Sequence, residues 1–71
     1  MRKRKSVEKR LAYNLKKWRE VRELTQKEVS KVTGITEVSI SRYETGERIP
    51  KATTAYVLAK IYGISMDRLY D

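Results

Sequence analysis

The groups in this chain able to do chemistry are mostly cationic, and they crowd toward one end. Residues 1–22 carry Arg2, Lys3, Arg4, Lys5, Lys9, Arg10, Lys16, Lys17, Arg19 and Arg22 against only Glu8 and Glu20. Residues 23–71 carry seven basic and seven acidic groups, so the whole formal excess of +8 lies in the first third. Clustered lysine and arginine of this kind suit a phosphate backbone or another anionic surface. Cysteine and histidine are both absent. That removes disulfides, thiolate and imidazole metal ligands, the cysteine nucleophile and the commonest general base. No nucleophile–base pair or metal cluster can be assembled, so the expectation is a non-enzyme with no cofactor and no metal. The available chemistry is recognition of a charged partner.

Those groups must be held by a single small domain, because 71 residues leave no room for two cores. A chain of this length buries only ~60% of its unfolded surface. No apolar run approaches the ~18 residues of a membrane span. The start Met1-Arg2-Lys3-Arg4-Lys5 is not followed by the apolar stretch of a signal peptide, and a cytoplasmic protein without membrane contact is expected. Residues 1–5 read as a flexible basic arm and 6–71 as the folded domain.

Apolar spacing sets the elements. Val7, Leu11, Leu15 and Trp18 form a stripe on one face of a helix over Ser6 to Glu23, with Lys9, Arg10, Lys16, Lys17 and Arg22 opposite. Thr25-Gln26-Lys27-Glu28 has the capping-box form, starting a helix with Val29 and Val32 as its apolar positions and Gly34 as its end. Thr36 is an N-cap candidate for a helix through Glu44. Gly46 and Pro50 break it. A fourth helix runs from Ala52 to Tyr62 with Ala55, Leu58, Ala59 and Tyr62 on one face. Gly63 ends it, and Ser65 caps a short turn through Met66 and Leu69. Trp18, Tyr43, Tyr56 and Tyr62 lie at helical spacing and read as core. The fold class is therefore all-α, with five short helices.

Within this frame, residues 24–40 hold two short helices separated by a glycine-containing turn and pinned by Val29, Ile35 and Ile40. That is helix-turn-helix spacing, in which the second helix enters a major groove. The chain here resembles the phage repressor/Cro-like family, often called the Xre family. The resemblance runs from Leu15-Lys-Lys-Trp-Arg19 through Leu24-Thr25-Gln26, Gly34, Ile40-Ser41-Arg42-Tyr43-Glu44 and Gly46 to Pro50. It continues through Leu58-Ala59-Lys60 and Gly63-Ile64-Ser65-Met66-Asp67 to Leu69. It implies a compact five-helix repressor-like domain with a central helix-turn-helix. Two positions depart from the pattern: Val29-Ser30 stands where relatives carry Leu-Ala, and Glu37 where relatives often place Gln.

The resemblance also implies roles. Gln26, with Thr25 beside it, matches a phosphate-contacting glutamine. Thr36, Glu37, Val38, Ser39 and Arg42 match positions that face base edges or flanking phosphates. Thr45, Arg48 and Lys51 match a loop that touches the backbone, and Arg19 and Glu44 match an ion pair joining the first and third helices. Arg42 suits bidentate contact to guanine, Glu37 can accept from cytosine N4, and Val38 can meet a thymine methyl. Arg2, Lys3, Arg4 and Lys5 suit a DNA backbone or an adjacent minor groove.

The expected function is that of a sequence-specific double-stranded DNA-binding transcriptional regulator, a repressor rather than an activator. A homodimer on a palindrome is expected, with Ile64, Met66, Leu69 and Tyr70 as dimer contacts. The alternatives are a protein-interaction module on the same fold, of antitoxin or anti-repressor type, and a non-specific nucleic-acid binder driven by the basic first third. A further alternative is that the chain is the DNA-binding part of a longer regulator.

Overall fold

In the computed structural model, residues 7–71 are described. Arg2, Lys3, Arg4 and Lys5, read as a basic arm, lie outside the described residues, as does Ser6 at the expected start of the first helix. Five helices follow in order: α1 Val7–Val21, α2 Gln26–Thr33, α3 Glu37–Thr45, α4 Ala52–Tyr62 and α5 Met66–Leu69. Among the described residues there is no strand, and the all-α class holds.

Side-chain caps set most of these starts. Thr25 Oγ1 accepts from Glu28 N at 3.0 Å while Thr25 N donates to Glu28 Oε1 at 2.8 Å, a complete capping box on α2. Thr36 Oγ1 accepts from Ser39 N at 3.1 Å and opens α3. Ser65 Oγ accepts from Arg68 N at 3.2 Å and opens α5. Each bond satisfies one of the orphan N–H groups at a helix start.

The end of α1 departs from the sequence reading. The helix stops at Val21 rather than Glu23, and Glu23 adopts φ +58°, the left-handed region usually left to glycine. Glu23 N donates to Glu20 O at 2.9 Å and Leu24 N to Arg19 O at 3.1 Å. These are the paired closing bonds of a Schellman motif. α4 closes the same way around Gly63, with Gly63 N on Lys60 O and Ile64 N on Ala59 O.

The core gathers Leu11 and Leu15 from α1, Val29 from α2, Ile40 from α3, Ala55, Leu58, Ala59 and Tyr62 from α4, and Leu69 from α5. Trp18, Leu24, Ile35 and Tyr43 pack against it half-buried. Val29, where relatives carry Leu, is fully enclosed, and neighbouring Ser30 is half-buried.

Three expected core residues are exposed instead. Val7 sits in the first turn of α1 and is 51% exposed. Val32 is rotated by about 60° from Val29 around α2, and half-buried Ile35 packs against the core just after the turn. Tyr56 points outward from α4 with Lys60 Nζ 5.8 Å from its ring centroid.

Two polar side chains, one on α1 and one just after it, tie down the ends of α5 and α4. Asn14, only 7% exposed, donates from Nδ2 to Leu69 O at 2.9 Å, so a carbonyl at the end of α5 is satisfied inside the core. Arg22 donates from Nε to Tyr62 O at 2.6 Å, placing a cation at the negative end of α4. Arg22 itself remains exposed, in keeping with its place on the charged face opposite the apolar stripe.

Candidate nucleic-acid interface

α3 is anchored by one residue and displayed by the rest. Ile40 is fully buried, whereas Glu37, Val38 and Arg42 are exposed, Val38 at 59%. Among the described residues, the Arg42 side chain has no hydrogen-bond or ion-pair partner, so its planar set of donors faces outward. Ser39 is half-buried, and its Oγ accepts from Thr36 Oγ1 at 3.0 Å. The Thr36 hydroxyl is therefore used twice within the protein, once as acceptor in the cap and once as donor to Ser39.

The loop after α3 is folded back on the helix end. Thr45 Oγ1 donates to Arg42 O at 3.1 Å and Arg48 N donates to the same carbonyl at 3.2 Å. The Thr45 hydroxyl proton is thereby engaged, while the Arg48 and Lys51 side chains are exposed beside the recognition face. Gly46 takes φ +86° to make this turn. Ile49 is exposed in the same loop, an apolar group that sequence reasoning did not single out.

On the other side of α3 lies the start of α2. Thr25 is exposed and uses its oxygen as a cap acceptor, which leaves its hydroxyl proton for an outside partner. Gln26 is half-buried and donates from Nε2 to Glu44 Oε1 at 3.0 Å. Sequence reasoning missed this tie, because it joins positions eighteen residues apart.

Beneath this face, Arg19 donates from Nε to Glu44 Oε2 at 2.6 Å and from Nη2 to Glu44 Oε1 at 3.0 Å. A third donor, Nη1, holds Leu24 O at 2.7 Å. The hydrogen bond to Glu44 raises the Arg19 guanidinium above its ordinary range, outweighing burial, which acts the other way. Tyr62 is buried beside the pair. Burial pushes its phenol well above the ordinary value, the Glu44 charge adds to that, and Arg19 opposes it.

The cations of α1 meet this region from the side. Lys9, Lys16 and Lys17 border an open groove of about 820 Å³ whose other wall includes Thr45 and Gly46. Among the described residues there is no cluster of three or more acidic side chains placed to hold a metal ion. No helix of the described residues is long and apolar enough to cross a membrane.

One expected dimer contact is corrected by the packing. Leu69 is 0% exposed and belongs to the monomer core. A four-residue amphipathic turn has one apolar face, and α5 spends it on its own chain. Ile64, Met66 and Tyr70 are half-buried around it.

Comparison with known proteins agrees with this architecture. The model of a family described as Helix-turn-helix matches residues 15–69, from the middle of α1 to the end of α5. No curated protein and no solved structure matches significantly. The matched stretch covers most of the chain and contains the capped α2, the Gly34 turn and the exposed α3. The chain therefore belongs to the Xre/Cro-like helix-turn-helix family of DNA-binding regulators.

Proposed function

We propose that this regulator is a non-enzymatic repressor that binds a palindromic operator as a homodimer, with α3 in the major groove. The observation that carries this reading is the outward face of α3. Arg42, Glu37 and Val38 stand exposed on a helix fixed from behind by Ile40. Arg42 reads guanine, Val38 meets a thymine methyl, and Glu37 accepts from cytosine N4 while rejecting sites that set phosphate or acceptors against it. Ser39 and Thr36 support the first turn. Thr25, Gln26, Thr45, Arg48 and Lys51 set the register on the backbone. The basic arm, Arg2 to Lys5, and the lysines of α1 add sequence-independent affinity along the flanking duplex.

One recognition helix reads few base pairs, so two copies on half-sites about one helical turn apart supply the specificity. Ile64, Met66 and Tyr70 contribute the dimer contact, without Leu69. Occupancy of the operator acts by exclusion, without a catalytic step.

The test is selection of bound duplexes from a random pool by the full chain. A recovered palindrome, preferred over scrambled duplex by ~10³-fold or more at physiological salt, is the expected result. Equal affinity for scrambled duplex would overturn it in favour of a non-specific binder. Failure to enrich any duplex would favour a protein-interaction module on the same fold.

A further inference from the structure

The side chain of Gln26 does not extend freely from the start of α2. Its Nε2 donates to Glu44 Oε1, and the Glu44 carboxylate, 4% exposed, is itself held by Nε and Nη2 of Arg19. One carboxylate thus ties α1, α2 and α3 together at the edge of the recognition face. A carboxylate offers only acceptor lone pairs. It therefore selects the amide orientation with the NH2 group toward it, because the flipped amide would set Gln26 Oε1 against a carboxylate oxygen. Glu44 uses one of the two protons on Nε2, and the second remains for an outside acceptor. A glutamine ordered only on binding loses rotamer entropy at that moment, whereas this one is ordered beforehand. Arg19 offsets the Glu44 charge, so the anchor does not bring an unpaired anion toward a phosphate.

We propose that Glu44 is a positioning residue for DNA-backbone binding, which fixes the Gln26 amide so that an Nε2 proton is presented to a phosphate at the start of α2. This rests on the reading of Gln26 as a phosphate contact. A double-mutant cycle with the full chain tests both layers, and a short random-sequence duplex at low salt serves as the probe because phosphate contacts are independent of sequence. Gln26→Ala should weaken duplex binding about tenfold, the scale of one hydrogen bond to a charged group. Glu44→Ala should weaken it strongly in the native background and by less than about twofold in the Gln26→Ala background. Its loss of thermal stability, by contrast, should be the same in both backgrounds. A purely structural Glu44 would weaken binding equally in both, and that result overturns the positioning role while leaving the phosphate contact intact. If Gln26→Ala leaves affinity unchanged, the phosphate-contact reading itself falls and the inference with it. Should Glu44→Ala fail to fold, ¹⁵N relaxation of the Gln26 side-chain amide in the native protein decides. A rigid amide in the DNA-free protein supports the inference, and one as mobile as an exposed glutamine overturns it.

Discussion

Arg19 on α1 and Glu44 on α3 meet through two hydrogen bonds, at 2.6 and 3.0 Å, with side chains 11% and 4% exposed. The pair lies under the surface that α3 presents, next to buried Tyr62. It is a fork-to-carboxylate contact, which fixes orientation as well as distance. The angle at which α3 leaves the body of the protein is therefore set partly by an electrostatic contact, and not only by the burial of Ile40.

Removing one partner of a buried pair strands the other charge, which costs about 3–5 kcal/mol. A chain of this length has little stability to lose. Arg19→Met and Glu44→Met should each lower the denaturation midpoint severely. The double variant should recover part of the loss, since two apolar side chains strand no charge. Equal additive losses in a denaturant series would show that the pair contributes no coupling.

Tyr62 makes stability depend on alkaline pH. Its folded pKa is raised, so the folded state keeps the phenol proton after the unfolded state has begun to lose it near the ordinary value of about 10. Its contribution is therefore fully present below about pH 10 and is lost as pH rises beyond it, with a limiting slope of about 1.4 kcal/mol per pH unit. Denaturation curves between neutral and strongly alkaline pH check this. Tyr62→Phe should flatten the alkaline fall, and an unchanged slope would place its origin elsewhere.

Glu23 holds φ +58° without being glycine, at a conformational cost of about 1 kcal/mol. Glu23→Gly should relieve that cost and raise stability by about 0.5–1 kcal/mol while leaving the paired closing bonds to Glu20 and Arg19 in place. Thermal melts of the two proteins compare them directly. Gly63→Ala is the converse, since an added Cβ at φ +70° would also approach Arg22 Nη2 at 3.2 Å.

These cases show what could be read from the sequence. α2 and α3 were legible because their boundaries are written locally, in Thr25 with Glu28, in Thr36, and in Gly34 and Gly46. Leu11 and Leu15 were legible from their four-residue spacing. The end of α1 was not, because its closing residue is a glutamate held left-handed by backbone bonds, for which no letter gives a signal. Val7 and Val32 satisfied the same periodicity as true core residues, yet both are exposed in the folded chain. Asn14 and Arg22 act on carbonyls 55 and 40 positions away. Their types permitted this, and Asn14 lies one turn from Leu11 on the apolar face, but the partners exist only in the folded chain. Leu69 presents the same amphipathic turn whether it meets its own core or a second copy. The face of α3 was legible as a pattern, whereas the occupied hydroxyls of Thr36 and Thr45 and the tie from Gln26 to Glu44 were not.

The division of labour across the interface gives the sharpest test of the proposed function. Arg42 projects from the last turn of α3 with its side-chain donors unengaged among the described residues, while Lys51 lies beyond the folded-back loop. A side chain that reads a base and one that pairs with a phosphate leave different signatures. Arg42→Ala should relax preference at a single base pair of the selected operator, at a cost of ~1–3 kcal/mol, and change the salt dependence little. Lys51→Ala should weaken all duplexes alike and lower the slope of log affinity against log salt by about 1. Binding isotherms for operator and scrambled duplex over a range of salt concentrations separate the two. If Arg42→Ala instead weakens both duplexes equally, Arg42 is a phosphate contact, and the reading of guanine must pass to another residue on α3.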